Sequence, residues 1–129
     1  MNKVQISCNV FNKNDIESEF FDELIKNNIK VDFRSIFLQG ALLDKKISSE
    51  IKQNEFSDFF DIWYEYCDIN ELKPIEAAIL NLPKTNGKII FGCRNINQLR
   101  ELLSIRHTQA PLLKLKENPP KDLTDPRLW

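Results

Sequence analysis

The succession of apolar patterns in this chain predicts an α/β fold in the order strand–helix–strand–helix–helix–strand–helix, with the strands parallel. Four observations carry that reading. Apolar and polar residues alternate over residues 4–11, a second strand-like run covers 29–37, and the segment between them repeats its apolar residues at helical spacing. The fourth is the compact run Lys88-Ile89-Ile90-Phe91, reached after two further helical stretches. A strand–helix–strand unit of this length suits a parallel crossover.

In the first run Val4, Ile6, Cys8 and Val10 alternate against polar neighbours. Asn14 with Glu17 three residues later has the form of a capping box, and behind it Ile16, Phe20, Leu24 and Ile25 share one helical face. Asn27-Asn28 ends that pattern. Val31, Phe33 and Ile36-Phe37 supply the second strand. Phe56, Phe59, Phe60, Trp63 and Cys67 then recur at helical spacing, with Ser57 as the expected cap and Tyr66 beside the aromatic stripe. Tyr64, two residues away, is expected to be partly exposed.

Pro74 suits the first turn of the next helix, whose buried face is Ile75, Ala78, Ile79 and Leu82 before Pro83 closes it. Asn86-Gly87 is a turn into the third strand. Asn95 caps the last helix, with Gln98 three residues on and Ile96, Leu99, Leu102 and Leu103 as its apolar face. Residues 109–129 form a proline- and charge-rich tail that packs over something or hangs free. The whole chain, 1–129, is one domain. Three parallel strands with two bare edges read as an incomplete sheet, since parallel sheets are normally covered and larger.

The chain has 129 residues, 42% of them hydrophobic and 29% charged, with a formal net charge of −1, so no basic footprint for nucleic acid is expected. No apolar run is long enough for a bilayer, and MNKVQIS lacks the layout of a secretory signal. Cys8, Cys67 and Cys93 are three widely spaced cysteines. They argue against a disulfide framework or a zinc site and for reduced thiols in a cytoplasmic protein. No metal is expected.

Candidates for catalysis are sparse. His107 is the only histidine and reads as a surface residue. The carboxylate pairs Glu17/Glu19 and Asp58/Asp61 read as solvated helix positions. One local feature has another reading: the strand ending at Phe91-Gly92 runs directly into a capped helix, where free backbone N–H groups collect and anions bind, and Arg94 adds a fixed positive charge. On these residues alone the ordinary strand-to-helix loop, with Gly92 for the turn and Arg94 solvated, is the favoured reading. Phe33-Arg34-Ser35-Ile36-Phe37-Leu38-Gln39-Gly40 is either a phosphate-lining loop or a strand that ends in a turn.

Taken together and in this order, VQISCNVFN, DFRSIFLQGALL and IIFGCRNINQLREL resemble the sixth, seventh and eighth strand–helix units of the aldo-keto reductase family, covering nearly the whole chain. The resemblance implies a partial (β/α)8 TIM barrel with three parallel strands and flanking helices. It implies a binding site for NADP (NADPH). Gln5 would contact the nicotinamide carboxamide, and Arg34 would take the place of the residue that stacks on the nicotinamide ring. Ser35 would touch the phosphates, and Phe37, Leu38 and Gln39 would lie beneath the pyrophosphate. Gly92, Cys93, Arg94, Gln98 and Glu101 would surround the 2′-phosphate and adenine, with Arg94 favouring NADP. Leu102 departs from the family's polar residue there. Gln98 has two readings, a helix cap and an adenine contact.

A complete barrel needs roughly 250 residues. The family's tyrosine, lysine, aspartate and histidine come from its first half, so the resemblance assigns no catalytic residue here. The expected function is that of a truncated aldo-keto reductase-like protein from a family of NAD(P)H-dependent carbonyl oxidoreductases, inactive as an isolated chain. Cofactor binding is expected to be weak or to require the missing N-terminal half-barrel, which is one expected partner; a second copy of the chain is the other. Two further readings stand beside it: a non-catalytic nucleotide-binding or interaction protein pairing through its sheet edges, and a small α/β domain whose resemblance carries no function.

Overall fold

The structure is a computed structural model that describes residues 2–51, 54–106 and 109–129, with only the backbone of Asn54 and Glu55. His107 lies outside the described residues. Strand β1 (Lys3–Ser7) pairs in parallel with β2 (Lys30–Arg34), with Gln5 opposite Asp32, and helix α1 (Glu19–Lys26) makes the crossover. Four helices follow: α2 (Lys45–Glu50), α3 (Asn54–Ile69), α4 (Pro74–Leu80) and α5 (Ile96–Leu103). The tail ends in a one-turn helix α6 (Lys121–Thr124) and a 3-10 turn at Pro126–Leu128.

Among the described residues the expected three-stranded sheet is corrected to two strands in one open sheet, and the structure does not show a partial TIM barrel. The run at 88–91 contributes a single parallel bridge between Phe33 and Ile89. The Phe33 N–H donates to the Lys88 carbonyl at 2.9 Å, and the Ile90 N–H donates to the Phe33 carbonyl at 2.8 Å. The physical reason lies on both sides of that rung. Before it, side chains occupy the outer edge of β2: the Val31 N–H donates to Asn86 Oδ1 at 3.1 Å, and the Thr85 hydroxyl donates to the Val31 carbonyl. After it, Ser35 adopts a left-handed φ of 59°, which ends β2 and leaves Phe91 and Gly92 no backbone to pair with.

The core joins the sheet to α3 and α4. Val31, Phe33, Trp63, Phe56, Leu42 and Cys67 are fully buried. Trp63 Nε1 donates to the Leu42 carbonyl and Tyr64 Oη to the Ala41 carbonyl, each at 2.8 Å, so α3 is bolted to the loop after β2. Both bonds keep a buried polar group satisfied. Tyr64 is therefore buried, against the expectation of partial exposure, while Tyr66 stacks on Trp63 at 5.7 Å as expected. Ser57 lies within α3 rather than capping it.

The first helix starts later than Asn14 and Glu17 suggest. Ser18 is its cap, in extended conformation and accepting from the Phe21 N–H. The shift turns Phe21 and Leu24 inward and leaves Phe20 62% exposed. Helix α5 also departs from expectation: Ile96, Leu99 and Leu103 are exposed, and only Leu102 packs against the core. With the third strand reduced to one bridge, no sheet surface extends beneath that helix. The tail does not hang free, because Leu123 is fully buried in the core.

Candidate functional site

Two chain segments leave the sheet at the same end and build a cleft of about 520 Å³ between them. One is the loop after β2, which supplies Arg34, Ser35, Phe37 and Gln39. The other, after the Ile89 bridge, supplies Gly92, Cys93, Arg94 and Gln98. Eight of the eleven residues expected to hold a cofactor therefore line one cavity. Of the other three, Leu38 is buried in the core behind the loop, with its edge on a neighbouring cleft. Gln5 is exposed on β1 and lines neither cleft, and Glu101 faces a separate depression with Lys73 and Ile105.

The first wall is a backbone under strain. Ser35, Leu38 and Gln39 have φ of 59°, 48° and 56°, followed by Gly40 at 88°. Each non-glycine residue in that region costs about 1–3 kcal/mol, and such residues persist where the surroundings over-determine them. Here the surroundings are visible: the Asn9 carboxamide donates to the Ser35 carbonyl at 3.3 Å, and Tyr64 and Trp63 hold the carbonyls of Ala41 and Leu42. Asn9 is itself buried, and its Oδ1 accepts from the Phe11 and Asn12 N–H groups.

Arg94 ties the second wall to the first. Its Nη2 donates to the Gln39 carbonyl at 3.1 Å, and the guanidinium sits beside Gly40, where an added Cβ would stand 3.4 Å from Cζ and 3.2 Å from Ile47 Cδ1. That bond uses one N–H of a guanidinium fork that carries several. The start of α5 is braced as well. Asn95 Oδ1 accepts from the Gln98 N–H at 3.0 Å, and Gln98 Oε1 accepts from the Arg94 N–H at 2.7 Å. The reciprocal brace thus reaches one residue further back than a capping box, to Arg94 rather than Asn95.

Arg34 and Arg94 bring two cations to a cavity whose other lining is apolar or neutral: Ile36, Leu43, Ile90 and Phe91 with the residues already named. Phe91 is 41% exposed, with its ring 6.2 Å from that of Phe37. Sequence reasoning read Ile90 and Phe91 as strand and passed over them as lining; their apolar character gave no hint, because a buried strand has the same composition. A second cleft of about 760 Å³ shares Arg34, Ser35 and Gln39 and is bounded on its far side by Lys121, Asp125 and Arg127 of the tail. There Arg127 grips Asp125 at 2.6 Å and holds its carboxyl down near pKa 2.

Among the described residues no tyrosine, lysine or carboxylate lines the first cleft. Burial pushes the Tyr64 hydroxyl up to about 12, and it also raises Tyr66, whose oxygen accepts from Asn81 at 2.8 Å. Both phenols are structural. Burial likewise raises the thiols of Cys8 and Cys67 to about 12, while Cys93 is exposed on the cleft wall. Among the described residues no cluster of His, Cys, Asp and Glu has the makings of a metal site, and no helix is long and apolar enough to cross a membrane.

No family model, curated protein or solved structure matches this chain.

Proposed function

We propose that the cleft between Arg34 and Arg94 binds the phosphate-bearing part of a nicotinamide dinucleotide, NADP(H), in the manner of the aldo-keto reductase cofactor segment that the sequence resembles. One observation carries the reading: residues 34–39 and 92–98, distant in sequence, meet across one cavity with two arginines in its lining. Arginine suits this ligand because its planar fork matches phosphate oxygens in bidentate fashion. The apolar stretch around Phe37, Ile90 and Phe91 offers ring surface for a base.

The chain holds the cofactor without turning it over. Hydride transfer to a carbonyl needs an acid beside the reacting oxygen. Among the described residues the cleft lining offers none, and both tyrosines are committed to internal hydrogen bonds. The aldo-keto reductase-like function of this chain is therefore cofactor binding, with any reductase chemistry dependent on residues supplied by another part or partner, an N-terminal half among them. Three free thiols support a reducing, cytoplasmic setting.

The test is a fluorescence titration of the purified chain with NADPH, run beside an assay for NADPH oxidation with simple aldehydes. Saturable binding without turnover is the expected result. Turnover by the isolated chain overturns the non-catalytic reading, and absence of binding overturns the cofactor reading.

A further inference from the structure

The two edges of the sheet are unlike. The β1–β2 ladder uses the even residues of β1: the Lys30 N–H donates to the Asn2 carbonyl at 3.1 Å, and the Cys8 N–H donates to the Arg34 carbonyl at 3.0 Å. Strand alternation then points the N–H and C=O groups of Lys3, Gln5 and Ser7 away from β2. Among the described residues no backbone bond from a turn, loop or cap reaches those groups. The outer edge of β2, by contrast, is occupied by Thr85, Asn86, Lys88 and Ile90.

We infer that the chain forms a closed two-fold dimer by antiparallel pairing of β1 with β1 of a second copy, centred on Gln5. Three outward residues at spacing i, i+2, i+4 are self-complementary about their middle member. Gln5 exchanges both backbone bonds with Gln5 of the partner subunit, and Lys3 does the same with Ser7 of the partner subunit. The charge pattern permits it. Lys3 meets a serine across the axis, and its ammonium is already held 3.2 Å from Asp32. The same register would put no like charges opposite each other.

A second copy is favoured over an open-ended stack because the other edge of the sheet is covered, so edge-to-edge growth stops at two chains. The product is a four-stranded sheet in the order β2-β1-β1-β2, which removes the marginal stability of an isolated pair of strands. The pairing needs no ligand in the cleft.

Sedimentation and light scattering over a concentration series read the mass, and hydrogen exchange reads the edge directly. A mass of two chains is expected, with the amides of Lys3, Gln5 and Ser7 protected in a concentration-dependent way. Gln5→Lys and Gln5→Glu each place like charges across the axis and should weaken association. Mixing the two should restore it, with roughly a tenfold swing in dimer Kd between like and mixed pairs. A wild-type chain that stays monomeric with those amides unprotected overturns the inference without recourse to any variant. So do assemblies larger than two, or variants that associate as tightly alone as when mixed.

Discussion

The guanidinium of Arg94 donates to the backbone carbonyl of Gln39 at 3.1 Å, across 55 residues of sequence. This bond joins the two walls of the cleft at the point where one backbone is most strained, beside left-handed Gln39 and Gly40. It links a cleft-lining cation to the conformation of the opposite loop, so any ligand bound through Arg94 should change loop order with it.

Arg94→Ala should therefore weaken NADPH binding strongly and reduce stability only slightly. The bond is exposed and made to a neutral carbonyl, which sets its worth at about 0.5–1 kcal/mol. Arg94→Lys should recover part of the charge but not the fork, giving intermediate affinity. Urea midpoints and NADPH titrations on the same preparations separate the two effects.

Gly87→Ala should be far more damaging to the fold than its place in a half-buried turn suggests. A Cβ there would stand 2.6 Å from Asp32 Oδ1 and closer still to the Val31 carbonyl. Relief requires moving the turn off β2, breaking the bridge at Ile89. A loss of about 2–3 kcal/mol in unfolding free energy is expected, at the upper end of overpacking penalties. A substitution that leaves the urea midpoint unchanged would contradict this packing.

Stability should fall as the solution is acidified below about pH 4. The Asp32 carboxyl accepts from the Lys88 N–H at 2.8 Å and pairs with Lys3, and these partners hold its pKa below the ordinary value. A carboxylate depressed in the folded state contributes stability above its unfolded pKa and loses it as pH falls through the folded one. Asp125, held near 2 by Arg127, adds to the same slope. Asp32→Asn should remove the Asp32 share, so thermal melts of the variant should depend less on pH across that window than those of the parent.

The cysteines should divide into one reactive and two protected thiols. Cys93 is exposed on the cleft wall, whereas Cys8 and Cys67 are buried and their thiols raised to about 12, which leaves little thiolate at neutral pH. An aromatic disulfide reagent should titrate one thiol in the native chain and three after denaturation. NADPH should slow labelling of Cys93, and equal rates with and without it would place the ligand elsewhere.

How much of this was legible in the sequence depends on the range of the forces concerned. Several local signals carried, although the Asn14–Glu17 and Ser57 caps did not. Pro74 opens α4, Asn95 caps α5, and Val31 with Phe33 mark a buried strand, all from short-range propensity and alternation. The site residues flanking Arg34 and Arg94 were legible as two motifs, and the structure brings most of them to one cavity. Non-local pairing was not legible. The apolar run at Ile89 reads as a strand, but whether it forms a ladder depends on the Thr85 and Asn86 side chains taking the backbone groups of Val31. Likewise the exposure of Ile96, Leu99 and Leu103 follows from the narrowness of the sheet, which their periodicity does not contain. Gln5 matched a motif but stands on the free edge, away from the cleft.

The most direct test of the cofactor reading is calorimetric titration of the wild-type chain with NADPH and with NADH under the same buffer and salt. One site per chain and tighter binding of NADPH are expected, with the preference lost in Arg94→Ala. Equal affinity for the two cofactors, or a preference that survives removal of the Arg94 guanidinium, would contradict the assignment of that arginine to the 2′-phosphate. No heat of binding with either would remove the cofactor from this cleft altogether.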